Sequence, residues 1–234
     1  MSLNTDIRDR LAEVRIRLDN AAQRAHRDPA GVRLLAVSKT FGIDHVRAAF
    51  EAGQRDFGEN RVQEALQKMG GSSDLQIRWH LIGPLQSNKV KKASAHFAWI
   101  HSVDSVGLLE QIDAAAEQAG ATPLALVQVD MAGEPTKHGA TLAAAREIIR
   151  AAARCRAVRL TGLMTLPPFF EDPEGARPYF RRLREIRDML RDEGTDPALV
   201  QELSMGMSHD FEFAVEEGAT IVRLGTAIFG GRQT

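Results

Sequence analysis

An apolar segment followed by an amphipathic helix recurs along almost the whole chain. Continuous apolar segments of this kind are typical of strands in a parallel sheet that is covered on both faces. Eight βα units on 234 residues, close to the ~250 residues usual for the fold, predict a (β/α)8 TIM barrel. An open, doubly wound sheet is the alternative. The predicted strands cover residues 34–37, 55–57, 78–82, 98–103, 124–129, 160–164, 200–203 and 220–224.

One additional helix is predicted before the first strand. Its apolar residues recur at intervals of three or four positions, which is the spacing of an amphipathic helix that packs on the fold. They are Leu3, Ile7, Leu11, Val14 and Leu18. No linker rich in proline or glycine and no block of charge divides the chain. We therefore expect residues 1–234 to form a single domain.

Composition and charge exclude several classes of protein. The formal net charge is −1, so nothing indicates nucleic acid as a partner, and Lys89, Lys91 and Lys92 are interpreted as a solvated helix face. Contact of that face with RNA or a partner protein is the less favoured interpretation. Cys155 is the single cysteine, which excludes a disulfide framework and a zinc site built from thiolates. The amino terminus lacks the apolar core of a signal peptide, and no segment has the ~18 apolar residues of a membrane span. These features predict a cytoplasmic protein.

The first predicted strand is followed by a lysine. Residues 34–40 read LLAVSKT, so Lys39 comes just beyond the carboxyl end of the strand, where barrels and open α/β sheets build their sites. A lysine in a partly dry pocket has its ammonium form disfavoured, and the free amine can condense with an aldehyde. Lys39 is therefore a candidate Schiff-base lysine. The alternative is a strand-end lysine that extends into solvent.

Two segments near the carboxyl terminus predict a phosphate site. SMGMS begins at Ser204 and RLGT begins at Arg223, after the seventh and eighth predicted strands, where barrels commonly bind phosphate. Ser208 is expected to cap the helix that it opens and to offer its hydroxyl outward. Gly225 allows close approach of the backbone, and Thr226 can start a short final helical turn. The alternative is two ordinary helix starts. The chain has no GxxxxGK[ST] sequence, so a Walker-type site is excluded.

A lysine amine and a phosphate cradle at one barrel mouth suit a single ligand that carries both an aldehyde and a phosphate. Pyridoxal 5′-phosphate (PLP) is such a cofactor. The sequence therefore predicts PLP as the cofactor.

Several motifs, taken together, resemble the pyridoxal phosphate homeostasis protein family, also called the YggS or PROSC family. They are AVSKT, FGENRVQEAL, WHLIGPLQSNKVKK, GEPTKHGA, GLMTLPP and LSMGMSHDFEFAVEEGATIVRLGTAIFG, and they extend over residues 34–230. The resemblance implies a barrel like the amino-terminal domain of bacterial alanine racemase, with PLP bound to the lysine. The segment VQVDMAGEPTKHG departs from the family, which more often has an asparagine near its start, so no role is assigned to Gln128 or Asp130.

The resemblance also implies roles for individual residues. Lys39 would form the Schiff base, Asn60 would contact the ring side of the cofactor, and Arg223 would face the pyridine nitrogen. Two further strand residues, His80 and Met164, are candidates at the mouth, with a packed barrel layer as the alternative. The phosphate contacts would come from Ser208, Gly225 and Thr226.

Two functions remain open at this point. One is a carrier that holds PLP reversibly, buffers it and delivers it to PLP-dependent apoenzymes, with other B6 vitamers as further ligands. The other is an amino-acid racemase, which needs a second acid/base group; alanine racemase supplies a tyrosine from a second domain. The predicted barrel takes up the 234 residues, so we expect no residues to be left for such a domain. Tyr179 is the single tyrosine, and its spacing predicts that it packs on the buried face of a helix. We expect a monomeric, non-catalytic carrier.

Overall fold

The computed structural model describes residues 3–131 and 139–231, and within these ranges the chain forms a closed barrel of eight parallel strands. Each strand pairs with the next in the sequence. The first strand also pairs with the last, with Arg33 opposite Ile221 and Ala36 opposite Leu224. This closure confirms the predicted (β/α)8 barrel and excludes the open sheet. The strands are β1 Arg33–Val37, β2 Asp56–Glu59, β3 Arg78–Leu81, β4 Trp99–Val103, β5 Leu124–Gln128, β6 Arg159–Met164, β7 Glu202–Met207 and β8 Ile221–Leu224.

The helices surround the strands. The additional amino-terminal helix, α1, is confirmed: its residues Ile7, Leu11 and Val14 are buried, and it packs against α2, α8 and α9. Within the described part of the chain, none of the helices is both long and apolar enough to cross a lipid bilayer. The helices are α1 Leu3–Arg24, α2 Ile43–Glu51, α3 Val62–Gly70, α4 Val90–His96, α5 Val106–Ala119, α6 Leu142–Ala152, α7 Arg177–Asp192, α8 Phe211–Glu216 and α9 Thr226–Phe229.

The apolar residues form two clusters. The larger one lies between the strands and the helices and includes the buried residues of α1. The smaller one lies in the barrel interior and is contributed by five different strands, as expected for the layered core of this fold. Its buried members are Leu35, Trp99, Leu126, Met164 and Ile221.

Two predictions about individual elements were wrong, namely the bounds of the seventh strand and the residue buried on α7. The seventh strand was expected at 200–203, but a short 3₁₀ helix, Pro197–Val200, covers its first position, and β7 begins at Glu202 and continues through SMGM to Met207. Tyr179 was expected on the buried face of α7. Phe180 takes that position, and Tyr179 is half-buried with its ring 5.7 Å from the ring of Phe170. The loop predicted at 130–139 lies mostly outside the described residues.

Candidate functional site

A cavity of about 490 Å³ opens at the carboxyl ends of the strands. This volume falls within the range usual for small-molecule sites. Polar residues that the sequence did not assign also line it, namely Gln128, Asp130 and His209. Apolar walls come from Ile82 and Leu166. Six candidate residues meet there: Lys39, Asn60, Ser208, Arg223, Gly225 and Thr226.

The turn that carries Lys39 is held on both sides. Lys39 is half-buried just beyond β1. Thr40 has φ of +70°, a left-handed conformation that is strained for a residue other than glycine. Its backbone N–H donates to Glu64 Oε1 at 2.6 Å. On the other side, the Ser38 hydroxyl donates to Glu59 Oε1 at 2.6 Å. These contacts restrict the backbone from which the Lys39 amine extends into the cavity.

A second lysine, Lys68 on α3, is buried beneath this turn. Its Nζ donates to the Ser38 carbonyl at 2.8 Å, to Glu59 Oε1 at 2.7 Å and to Glu64 Oε1 at 2.9 Å. Burial raises the pKa of the Glu59 carboxyl, while the hydrogen bonds from Lys68 and Ser38 oppose that rise. Sequence reasoning missed Lys68 because a helical lysine four residues after a glutamate usually belongs to a solvated face.

Ser208 caps a different helix from the one expected. It was predicted to cap the helix that follows it, α8, but its Oγ accepts the backbone N–H groups of Gly225 at 3.0 Å and Ala227 at 3.2 Å, at the start of α9. Both lone pairs of the hydroxyl are then in use, so it can offer a ligand only its hydrogen. At Gly225 an added Cβ would lie 3.3 Å from the Val37 carbonyl oxygen, closer than most side chains tolerate. The cradle thus combines a hydroxyl donor with closely approaching backbone.

Glycine is required at position 206 of the SMGMS segment. Gly206 has φ of +91°, and a Cβ added there would lie 2.5 Å from the Cβ of Ala214 on α8. Only glycine adopts this conformation without strain and leaves room for the helix. The close packing of β7 against α8 positions Ser208 at the mouth.

Arg223 on β8 places a buried positive charge at the cavity. One guanidinium nitrogen donates to the Ser204 hydroxyl oxygen at 2.7 Å and the other to the Thr165 carbonyl at 2.8 Å. Burial lowers the pKa of Arg223 to about 10, so it stays charged at neutral pH. A charged guanidinium that can only donate favours an anion or a neutral acceptor beside it.

His80 and Met164 are not among the residues that line the cavity. Both are fully buried inside the barrel. Met164 packs in the interior apolar cluster. The His80 ring stacks on Trp99 and contacts Asp56 and His101. The packed-layer alternative describes both positions, because their side chains point into the barrel below its mouth rather than into the cavity.

The two buried histidines predict a loss of stability in mild acid. Burial lowers the pKa of His80 and, more strongly, that of His101 below the ordinary 6.5. The unfolded chain therefore binds protons that the folded chain does not, and the free energy of unfolding should fall as the pH drops below about 6.5. Urea unfolding between about pH 5 and 8 measures this slope. A flat profile across this range would contradict the prediction.

The chemistry available at the cavity follows from these groups. An amine that can condense with a carbonyl compound lies at the same mouth as a hydroxyl donor, a glycine cradle and a buried cation. This set suits an anionic carbonyl compound. Within residues 3–131 and 139–231, His, Cys, Asp and Glu side chains do not group in a way that could hold a metal ion.

The fold and cavity together define a (β/α)8 barrel with a lysine amine, a serine hydroxyl and a buried guanidinium at its mouth. The sequence model for the alanine racemase N-terminal domain matches residues 10–233. The pyridoxal phosphate homeostasis protein of Aquifex aeolicus (strain VF5) is 43% identical over 225 residues, which cover 96% of this chain and 98% of the relative. The protein of the same name from Pseudomonas aeruginosa PAO1 is 44% identical over 229 residues, covering 97% and 96%. The chain belongs to the pyridoxal phosphate homeostasis protein family.

Two solved structures resemble this chain, one in sequence and fold and the other in fold alone. The structure of PipY from Synechococcus elongatus PCC7942 with PLP bound superposes with a TM-score of 0.85 at 39% identity, covering 96% of this chain and all of that one. An alanine racemase of Clostridium difficile 630 superposes with a TM-score of 0.71 at 15% identity, and the match spans 98% of this chain but 58% of the racemase. This second likeness shows the shared barrel fold alone.

Proposed function

We propose that this protein binds PLP reversibly through Lys39 and keeps the cofactor in an available pool without turning over amino acids. The observation that carries the proposal is the meeting of the Lys39 amine with Ser208 and Gly225 at one cavity. The names of the relatives and the PLP-bound PipY structure support it.

The side chains at the cavity fit the chemical groups of PLP. The amine of Lys39 matches the aldehyde. The Ser208 hydroxyl, with only its hydrogen to offer, matches a phosphate oxygen, and the bare backbone of Gly225 allows that oxygen to approach. Arg223 can only donate hydrogen bonds, and it matches the ring nitrogen of PLP, which accepts one. Asn60 lines the cavity as a further polar contact. His80 and Met164 are left out of this contact set.

Arg223 also bears on whether the protein is a catalyst. When bound, PLP supplies an electron sink that stabilises a carbanion at a bound amino acid. A charged guanidinium beside the ring nitrogen disfavours protonation of that nitrogen, since two positive charges would be adjacent. The sink is then weaker, which disfavours carbanion chemistry without excluding racemisation, because alanine racemase shows the same arrangement.

A racemase needs a second acid/base group, and the residue type expected for it is tyrosine. Tyr179, the single tyrosine of the chain, is on α7 against Phe170 and does not line the cavity. A second candidate function, slow racemisation, is favoured by one observation. The imidazole of His209 lines the cavity, and its Nε2 donates to the Glu171 carbonyl at 3.1 Å, so Nδ1 could accept a proton.

We also propose a domain organisation, an oligomeric state, a location and partners for the protein. Residues 1–234 form one PLP-binding domain that acts as a monomer in the cytoplasm. PLP and other B6 vitamers are its ligands, and PLP-dependent apoenzymes are the recipients of released cofactor. Neither nucleic acid nor a membrane is a partner.

Titration with PLP tests the binding. An absorbance band near ~420 nm, expected for PLP attached to a lysine, should appear at stoichiometric cofactor. Borohydride reduction followed by peptide mapping should place the label on Lys39. Dialysis of the unreduced protein should release the cofactor, and an added apoenzyme should become active. The absence of a band at excess PLP would contradict the proposal.

A panel of amino acids tests the absence of turnover. With PLP-loaded protein we expect no racemisation above that of free PLP, because no tyrosine is among the described residues that line the cavity. Chiral chromatography of each reaction gives the measurement, with His209→Gln as the comparison. Racemisation that requires both Lys39 and His209 would establish the alternative function.

A further inference from the structure

A file of buried polar side chains runs through the barrel interior from the cavity toward the amino end of the strands. Arg223 lines the cavity and donates to the Ser204 hydroxyl oxygen at 2.7 Å. Ser204 Oγ is 3.0 Å from His101 Nδ1, and His101 Nε2 is 3.0 Å from His80 Nδ1. His80 Nε2 is 3.0 Å from Asp56 Oδ1, at the start of β2. All five side chains are buried.

The two ends of the file determine the direction of every hydrogen bond in it. A guanidinium only donates, and an ionised carboxylate only accepts. Because Asp56 accepts from Nε2 of His80, a neutral His80 must accept at Nδ1, and His101 must donate to it from Nε2. A neutral His101 then accepts at Nδ1, so the Ser204 hydroxyl donates to it and keeps its lone pairs for Arg223. This single order satisfies all the members.

Asp56 is anchored as the anionic end. Arg78, at the start of β3, donates to both Asp56 carboxylate oxygens, at 2.7 and 2.6 Å. Burial by itself would raise the pKa of Asp56, but the hydrogen bonds from Arg78 and His80 outweigh it and hold that pKa well below its usual range. A carboxylate therefore faces the inner end of the file at neutral pH.

The aligned hydrogen bonds connect opposite charges at the two ends. Each donor points toward Asp56, and each acceptor lone pair points back toward Arg223. Bonds aligned in this way polarise one another, and in a low-dielectric interior this favours the cation at one end and the anion at the other. A buried guanidinium without such compensation is costly. Thr165 supplies a neutral carbonyl, and the Asp210 carboxyl adds an electrostatic attraction without a direct hydrogen bond.

We propose that Ser204 and His101 are positioning residues for Arg223, and that with His80 and Asp56 they form a one-directional hydrogen-bond chain that holds the guanidinium at the cavity in a single orientation. Through Arg223 the chain sets the hydrogen-bond donor presented to the ligand ring, a consequence that rests on the proposed binding of PLP. Its members come from strands β2, β3, β4, β7 and β8, so the barrel itself provides the alignment.

The hydrogen positions can be tested without any ligand. In protein labelled with ¹⁵N-histidine and assigned through bonds to the backbone, the ring shifts report which nitrogen carries the hydrogen. We expect both His80 and His101 to be neutral and protonated at Nε2 near neutral pH. Protonation of His101 at Nδ1, or an even mixture of tautomers, would overturn the proposed order.

Matched serine variants test the positioning of Arg223. Ser204→Ala removes the hydroxyl between His101 and Arg223. Ser102→Ala, one residue after His101, removes an equally buried hydroxyl that lacks a hydrogen-bond partner among the described residues. Ser204→Ala should weaken PLP binding about tenfold, the size expected for a lost hydrogen bond to a charged group. It should also shift the absorbance of the bound cofactor, while His101 keeps its hydrogen on Nε2 because Nδ1 of His80 still accepts it. Ser102→Ala should change none of these, and thermal unfolding should show both variants folded.

The outcomes separate the two proposals. If the wild type binds no PLP, the proposed function fails, while the ¹⁵N shifts still test the proposed order of hydrogen bonds from Arg223 to Asp56. If Ser204→Ala binds PLP with wild-type affinity and an unchanged spectrum, the positioning role is overturned and the proposed function stands.

Discussion

Replacement of Lys39 by alanine is expected to abolish covalent attachment of PLP while leaving the fold intact. Lys39 supplies the amine at the cavity, and its backbone lies in a turn held by contacts of its neighbours, Ser38 and Thr40. Removal of the Lys39 side chain leaves those contacts in place. The Ser208 hydroxyl and Arg223 also remain, so we expect weak, non-covalent binding of PLP to persist. Mass spectrometry after borohydride reduction measures attachment, and circular dichroism measures the fold.

The exposed Lys91 on α4 provides the matched control. Lys91→Ala deletes the same side chain from a helix face and should retain full attachment of one PLP. Undiminished labelling of Lys39→Ala would show that another lysine carries the cofactor and would remove the central residue of the proposed function.

Replacement of Lys68 by methionine is expected to lower the free energy of unfolding by about 3–5 kcal/mol, the usual cost of removing one partner from a buried ion pair. Lys68 is 7% exposed and Glu59 is fully buried. Methionine preserves most of the side-chain volume but makes none of the three hydrogen bonds of Lys68 Nζ. The Glu59 carboxylate would then keep only the Ser38 hydroxyl as a donor within the described network. Urea unfolding near neutral pH gives the measurement.

A second substitution separates charge from packing in this result. In the double variant Lys68→Met with Glu59→Gln, the uncompensated carboxylate is gone, so a large part of the lost stability should return. Because burial already raises the pKa of Glu59, the single variant should also lose less stability in mild acid, where that carboxyl can take up a proton. A Lys68→Met variant within about 1 kcal/mol of the wild type would contradict the predicted role of the pair.

The fold and many residues of the candidate site could be predicted because they depend on local patterns. Apolar segments alternating with amphipathic helices indicated parallel strands, and parallel strands in a barrel bring their carboxyl ends to one mouth. Lys39, beyond β1, and Gly225, beyond β8, therefore had to lie near each other once the barrel closed. The exact end of β7 could not be predicted in this way. SMGM reads as a loop because of its glycine, yet Gly206 continues the strand with a positive φ and packs directly against α8.

Contacts between residues far apart in the sequence were the part that local patterns could not supply. Ser208 has the residue type of a helix cap, but the helix that it caps is α9, whose N-cap, Gly225, lies 17 residues further along the chain. Tyr179 and Phe180 are adjacent on α7, about 100° apart around the helix axis, and the way the helix packs on the barrel decides which of them is buried. Lys68 has the spacing of a solvated helix residue and is nevertheless buried beneath the turn that carries Lys39.

The sequence by itself determined the barrel, the lysine at its mouth and the cradle after the last two strands, because each of these depends on residue type and short-range spacing. Only the tertiary structure decided which side chains enter the cavity and which enter the barrel interior. His80 and Arg223 are both polar residues on strands, but Arg223 lines the cavity while His80 lies within the file that leads to Asp56. The physical reason is that strand register and barrel closure decide which layer each side chain joins and which distant partners satisfy its hydrogen bonds.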